Sequence, residues 1–164
     1  MARDATARLY DVDAQSVVFN RLKLTDKYDQ ATITFRAKKD KLIDLEQLHE
    51  SVWATRLSGG TSSGVVCLKI TTVGQVTTTG DETVLNVSGT DRQFVLTDNV
   101  AAKPTGPEKS QFPELRKALA DGTRVMSVTG YVEGWAGRWP AVLSKAPDRR
   151  PKLMVTSFEM EPNE

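Results

Sequence analysis

Residues 121–132, "DGTRVMSVTGYV", place a helix exit directly before a bent strand. The preceding residues, "FPELRKALADG", are strong helix formers with Pro113 in the first turn, and Gly122 stands at the C′ position, where a helix ends in a left-handed residue. Beyond it, Val128, Gly130 and Val132 alternate with Thr129 and Tyr131, the period of a strand with one apolar face. A glycine inside such a run marks a bulge or a sharp bend. Gly74, in "TTVGQV" at residues 71–76, repeats the device earlier in the chain. Two bent strands allow a small sheet to curl on itself.

Working outward, "VVCLKITTVGQVTTTG" (65–80) reads as a long strand run that turns at Gly80 and Asp81 into "ETVLNVSG". After the turn residues Gly89 to Asp91 comes "RQFVLTD". A proline- and glycine-bearing loop, "NVAAKPTGPEKSQ", leads to the helix, and "KLMVTSFEM" (152–160) is the last strand. The order across residues 66–160 is strand, strand, strand, helix, strand, strand. That order, with the glycines at 74, 122 and 130, resembles a five-stranded OB-type barrel. The resemblance implies a fold that often holds single-stranded nucleic acid on a face of aromatic and cationic side chains.

The N-terminal part reads differently. Ala2 to Tyr10 has helical spacing, and Ser16 to Thr25 and Ala31 to Ala37 alternate as two strands around the turn "DKYDQ". "DLEQLHESVWATRL" (44–57) carries Leu45, Leu48 and Val52 on one helical face, with Asp44 placed as its cap. "SGGTSSG" (58–64) is a connector. Residues 5–57 resemble part of a heavy-metal-associated domain, the ferredoxin-like copper-chaperone module. The resemblance implies a truncated ferredoxin-like α-β-β-α-β module over residues 1–64, its last strand running on into an OB-like barrel over 65–164. The expected fold class is therefore α+β.

The family's metal loop, two cysteines two residues apart, has no counterpart, because the chain has a single cysteine, Cys67, within an apolar run. Thiolate sites of this type need ligands at short spacing, so no metal or other cofactor is expected. A Cys-x-x-Cys segment upstream of Met1 would make the chain a metal-binding protein instead. Without its first strand the module would keep an open sheet edge. That edge predicts a homodimer or a partner protein docked there.

The chain has 164 residues, of which 39% are hydrophobic and 26% charged, enough for one substantial core or two small ones. With 22 basic and 21 acidic side chains the net charge is +1, so nucleic acid or anionic lipid must be met through a local patch. No stretch nears the roughly 20 apolar residues of a membrane span, and "MARDATARLYD" is too polar for a signal peptide. The compartment is left open. His49 is the sole histidine, and neither a phosphate loop nor a nucleophile elbow occurs. A non-enzymatic binding or scaffold protein is the reading these features favour.

Candidate ligand or interface residues on the second half are Arg92, Phe94, Arg124, Tyr131, Trp135, Arg138 and Trp139. Cations and rings are the groups that grip a single strand, but here they are sparse, so nucleic-acid binding is the disfavoured alternative. Trp135 and Trp139, in "GYVEGWAGRWPAVL", lack a basic stripe and read as packing or interface residues. The densest positive run, Arg36, Lys38, Lys39 and Lys41, reads as a solvated hairpin end, and Arg149, Arg150 and Lys152 as local partners of the late glutamates.

Overall fold

The computed structural model describes residues 6–8, 10–23, 29–39, 41–55, 67–100, 108–122, 124–133 and 150–161. The chain divides into two compact units, Met1–Ser63 and Gly64–Glu164, in a mixed α+β architecture.

In the first unit residues 6–8 and 10 are helical, and the helical turn closes through Asp11, whose φ of 50° is left-handed. The Val12 amide donates to the Ala7 carbonyl at 3.1 Å, the six-to-one bond of a Schellman ending, and Val12 and Ala7 share one buried cluster. Asp13 then caps a short 3₁₀ turn, Ala14–Ser16, its carboxylate accepting from the Gln15 amide at 3.0 Å. That cap delays the first strand, expected from Ser16: β1 is Val18–Lys23. Its antiparallel partner β2 is Asp29–Thr34, with Phe19 opposite Ile33 and Lys23 opposite Asp29. The ladder thus takes in Asp29 and Gln30, which read as turn. It stops at Thr34 because the next residues turn to another partner, Ala37 bridging Val12 and the Arg36 carbonyl accepting from the Asp13 amide.

Helix α1, Leu45–Ala54, starts as expected at Asp44, whose carboxylate accepts from the Glu46 and Gln47 amides. It buries Leu45, Leu48 and His49, whereas Val52 is half-buried. Around Ala7, Val12 and Val17 pack Tyr10, Ile33, Phe35 and Ile43, with the Tyr10 and Phe35 rings 5.7 Å apart.

The second unit contains β3 (Lys69–Thr79), β4 (Glu82–Val87), β5 (Gln93–Thr97), helix α2 (Phe112–Ala120), β6 (Val125–Val132) and β7 (Lys152–Met160). The strands close into a barrel in the order β3-β4-β5-β7-β6, the parallel β5–β7 pair joining strands that are distant in sequence. Gly80, at φ 60°, supplies the first central position of the two-residue β3–β4 turn. Strand β3 serves two neighbours: Lys69–Val73 pairs with β6 and Gly74–Thr79 with β4. The changeover falls at Gly74, where a Cβ would meet the Asn86 carbonyl oxygen at 2.1 Å; at Gly130 it would meet that of Met154, also at 2.1 Å. Neither glycine has a positive φ, so their role is close backbone approach rather than an unusual dihedral. A register shift between Thr129 and Gly130 adds the bend.

The α-β-β-α-β expectation is corrected here. The strand expected to complete the first module, β3, has β4 and β6 as its partners, so among the described residues the first unit holds helix, two strands and helix. The reason lies in Gly74, which lets one long strand join two neighbours of the barrel.

Leu85, Phe94, Leu96, Val128, Val132, Leu153 and Val155 are buried in the barrel strands, and α2 lies against β7 with Leu115 fully buried. Gly122 follows α2 at φ 80°, as the sequence predicts. Arg149 lies outside the described residues, and the pairings expected for Arg150 and Lys152 differ in partner. Arg150 donates to both carboxylate oxygens of Glu82 at 2.7 and 2.6 Å, and Lys152 lies 4.0 Å from Glu133. Among the described residues no helix is long and apolar enough to cross a membrane.

Candidate functional site

Period two puts Phe94 and Leu96 on one face of β5 and Gln93 and Val95 on the other. Phe94 and Leu96 are core residues, and Phe94 is 1% exposed, so its ring is not offered to a ligand. Arg92 sits half-buried in the β4–β5 turn, its amide donating to Thr90 Oγ1 and its carbonyl accepting from the Val87 amide. Arg124 precedes β6, its side chain largely solvated and 3.8 Å from Glu161. Tyr131 lies near the far end of β6, roughly 23 Å away at a strand's rise. Trp135, Arg138 and Trp139 lie outside the described residues. The candidates within the described residues are therefore not gathered at one place.

The outer face of β4 and β5 carries instead a row of neutral amides beside the Glu82–Arg150 ion pair. Gln93 Nε2 donates to Asn86 Oδ1 at 2.7 Å, and Asn86 Nδ2 donates to the Gln75 carbonyl at 3.3 Å and to Thr77 Oγ1 at 3.4 Å. Val84 and Val95 face each other beside this amide row. Such a face has little to offer a phosphate backbone.

A different group gathers around Tyr131. Its ring is buried with Val100 and Met154, and Cys67 packs on the same cluster. The phenol donates to Glu108 Oε2 at 2.5 Å, while Lys69 holds Glu108 Oε1 at 2.5 Å and stands 5.3 Å from the Tyr131 ring centre. The hydrogen bonds from Lys69 and Tyr131 hold the Glu108 carboxyl below its usual range. Burial, followed by the neighbouring Glu108, pushes the Tyr131 phenol well above its ordinary value, and burial also raises the Cys67 thiol. A neutral phenol and a protonated thiol are poor nucleophiles. The group works as a latch that ties Glu108, ahead of α2, to β3 and β6.

Sequence reasoning singled out Tyr131 but missed Lys69 and Glu108. Pairing of β3 with β6 sets Lys69 opposite Tyr131, and Glu108 reaches both from 39 and 23 positions away, which no local spacing announces.

The latch predicts a pH effect. Glu108 titrates below its unfolded value near 4.5, so its contribution is complete above that value and is lost as the pH falls through the lower folded one. In thermal denaturation, Glu108→Gln should lower the midpoint near neutral pH, and the gap to wild type should narrow steadily below about pH 5. A gap that stays constant into acid would show that the carboxylate charge is irrelevant.

Among the described residues no three His, Cys, Asp or Glu side chains are grouped to hold a metal ion. In comparisons with known proteins, no family model matches the chain, nor does any curated protein or any solved structure.

Proposed function

We propose that the chain is a non-enzymatic binding or scaffold protein, a truncated ferredoxin-like module related to heavy-metal-associated domains joined in sequence to an OB-type barrel, and that it works through the edge of its N-terminal sheet. The barrel part rests on the strand order β3-β4-β5-β7-β6 with α2 between the third and fourth strands. The N-terminal part rests on the succession of helix, β1, β2 and α1 and on the "ATITF" and "LEQL" stretches.

One observation carries the binding reading. Among the described residues the N-terminal sheet has two strands, and β1 presents Phe19 at 56% and Val18 at 48% exposure. A two-stranded sheet leaves backbone donors and acceptors along its edges, which suits the addition of a strand from another chain. Phe19, opposite Ile33 on β2, sits on the face that continues into the buried cluster, so an added element would extend that core.

Sedimentation over a concentration series tests the self-association form of this reading. Wild type should associate, and Phe19→Lys should weaken the association at least about tenfold, because burying an aromatic ring contributes roughly 1.5–3 kcal/mol. A monomer at every concentration would leave only a heterologous partner, and association unaffected by Phe19→Lys would refute the edge. The alternative of single-stranded nucleic acid on the barrel is favoured by the strand order alone. The neutral row of Gln75, Asn86 and Gln93 weighs against it on the β3–β5 face.

A further inference from the structure

The basic run at residues 36–41, read from sequence as a solvated hairpin end, has a cleft beside it. A concavity of about 580 Å³ opens within the first unit, with Ala7, Val12 and Ala14 as apolar lining and Arg8, Lys38 and Lys39 as cations. That volume falls in the range of small-molecule sites, which combine apolar walls with a few placed polar groups.

The lining segments are tied to one another by backbone bonds. Val12 donates to Ala7, Asp13 donates to Arg36 at 3.0 Å, Val12 bridges Ala37, and Ser16 Oγ accepts the Arg36 amide at 2.7 Å. The site is thus framed before any ligand arrives, which limits the ordering cost of binding.

The charge balance selects the ligand. Asp13, the one acidic residue among the described lining, has its carboxylate oriented by the Gln15 amide, which donates to Oδ1. Asp11 pairs with both Lys38 and Lys41, which fixes Lys38 at the rim. Lys39 makes no ion pair with any described residue. Among the described lining residues the cations Arg8, Lys38 and Lys39 outnumber the single carboxylate, Asp13.

We propose that this cleft binds a small organic anion, a phosphate or carboxylate group carried on an apolar body. The anionic group sits against Lys39 and the rim cations, and the body lies on Ala7, Val12 and Ala14. This goes beyond the sheet-edge reading and does not depend on it.

The test is an NMR titration of the full chain at low salt with phenyl phosphate, inorganic phosphate and phenol, in wild type, Lys39→Glu and Phe19→Lys. Phenyl phosphate should shift the methyl signals of Ala7, Val12 and Ala14 and bind at least about fivefold more tightly than either inorganic phosphate or phenol. Lys39→Glu should weaken phenyl phosphate at least about tenfold while its spectrum keeps wild-type dispersion, and Phe19→Lys should bind as wild type. Shifts confined to other residues, phenol binding as well as phenyl phosphate, or an unchanged affinity in Lys39→Glu would each overturn the proposal. Loss of association in Phe19→Lys with phenyl phosphate binding intact separates the two sites. If Lys39→Glu loses dispersion, Lys39→Gln takes its place with the same expected direction.

Discussion

Gly130→Ala should cost the barrel at least about 3 kcal/mol in urea denaturation, enough to unfold a domain of ordinary stability at modest denaturant. An added Cβ would stand 2.1 Å from the Met154 carbonyl oxygen, so the β6–β7 backbones must separate at the bend. Gly74→Ala should behave alike against Asn86, where β3 changes partners. Gly122→Ala is the informative contrast. Nothing lies within 4 Å of its Cβ position, and its φ of 80° carries only the left-handed penalty, about 1–2 kcal/mol. Equal losses at all three positions would mean that glycine flexibility rather than close strand approach governs the barrel.

Phe94→Ala should cost about 3–5 kcal/mol, the usual range for removing a buried aromatic ring, because Phe94 is among the largest fully buried side chains described. Arg92→Ala, one turn residue away from β5, should stay within about 0.5 kcal/mol. The pair distinguishes core from ligand surface. A stable Phe94→Ala would require the ring to face solvent, against its place beside Leu96 and opposite Leu85.

Phe94 was read from sequence as a ligand or interface candidate, although its alternation with Gln93 and Val95 sets it beside Leu96 on the apolar face that the barrel buries. The helix ends were legible. Asp44 and Gly122 mark them through local chemistry, a carboxylate that accepts backbone amides and a residue free to take φ 80°. Gly74 and Gly130 pointed to bent strands, although the cause is the close approach of a carbonyl on the adjacent strand rather than the bend alone.

What escaped the sequence was long-range. Asp29 and Gln30 look like turn residues until β1 is there to pair with them, and β3 looks like the end of the first module until β6 supplies its other neighbour. The Glu108 latch depends on Lys69 and Tyr131 being opposite each other across β3 and β6, a register no local pattern encodes. The basic run near Lys39 reads as a solvated end because its spacing says nothing of Ala7 and Val12, which the left-handed Asp11 brings alongside it.

Hydrogen exchange of the full chain as a function of protein concentration tests the proposed edge most directly, because it reports where association buries backbone amides. Protection should rise with concentration at amides of β1 and β2, Val18–Lys23 and Asp29–Thr34, while the barrel strands stay unchanged, and Phe19→Lys should remove the rise. Protection that rises instead within β3 to β7, with β1 and β2 unaffected, would contradict it.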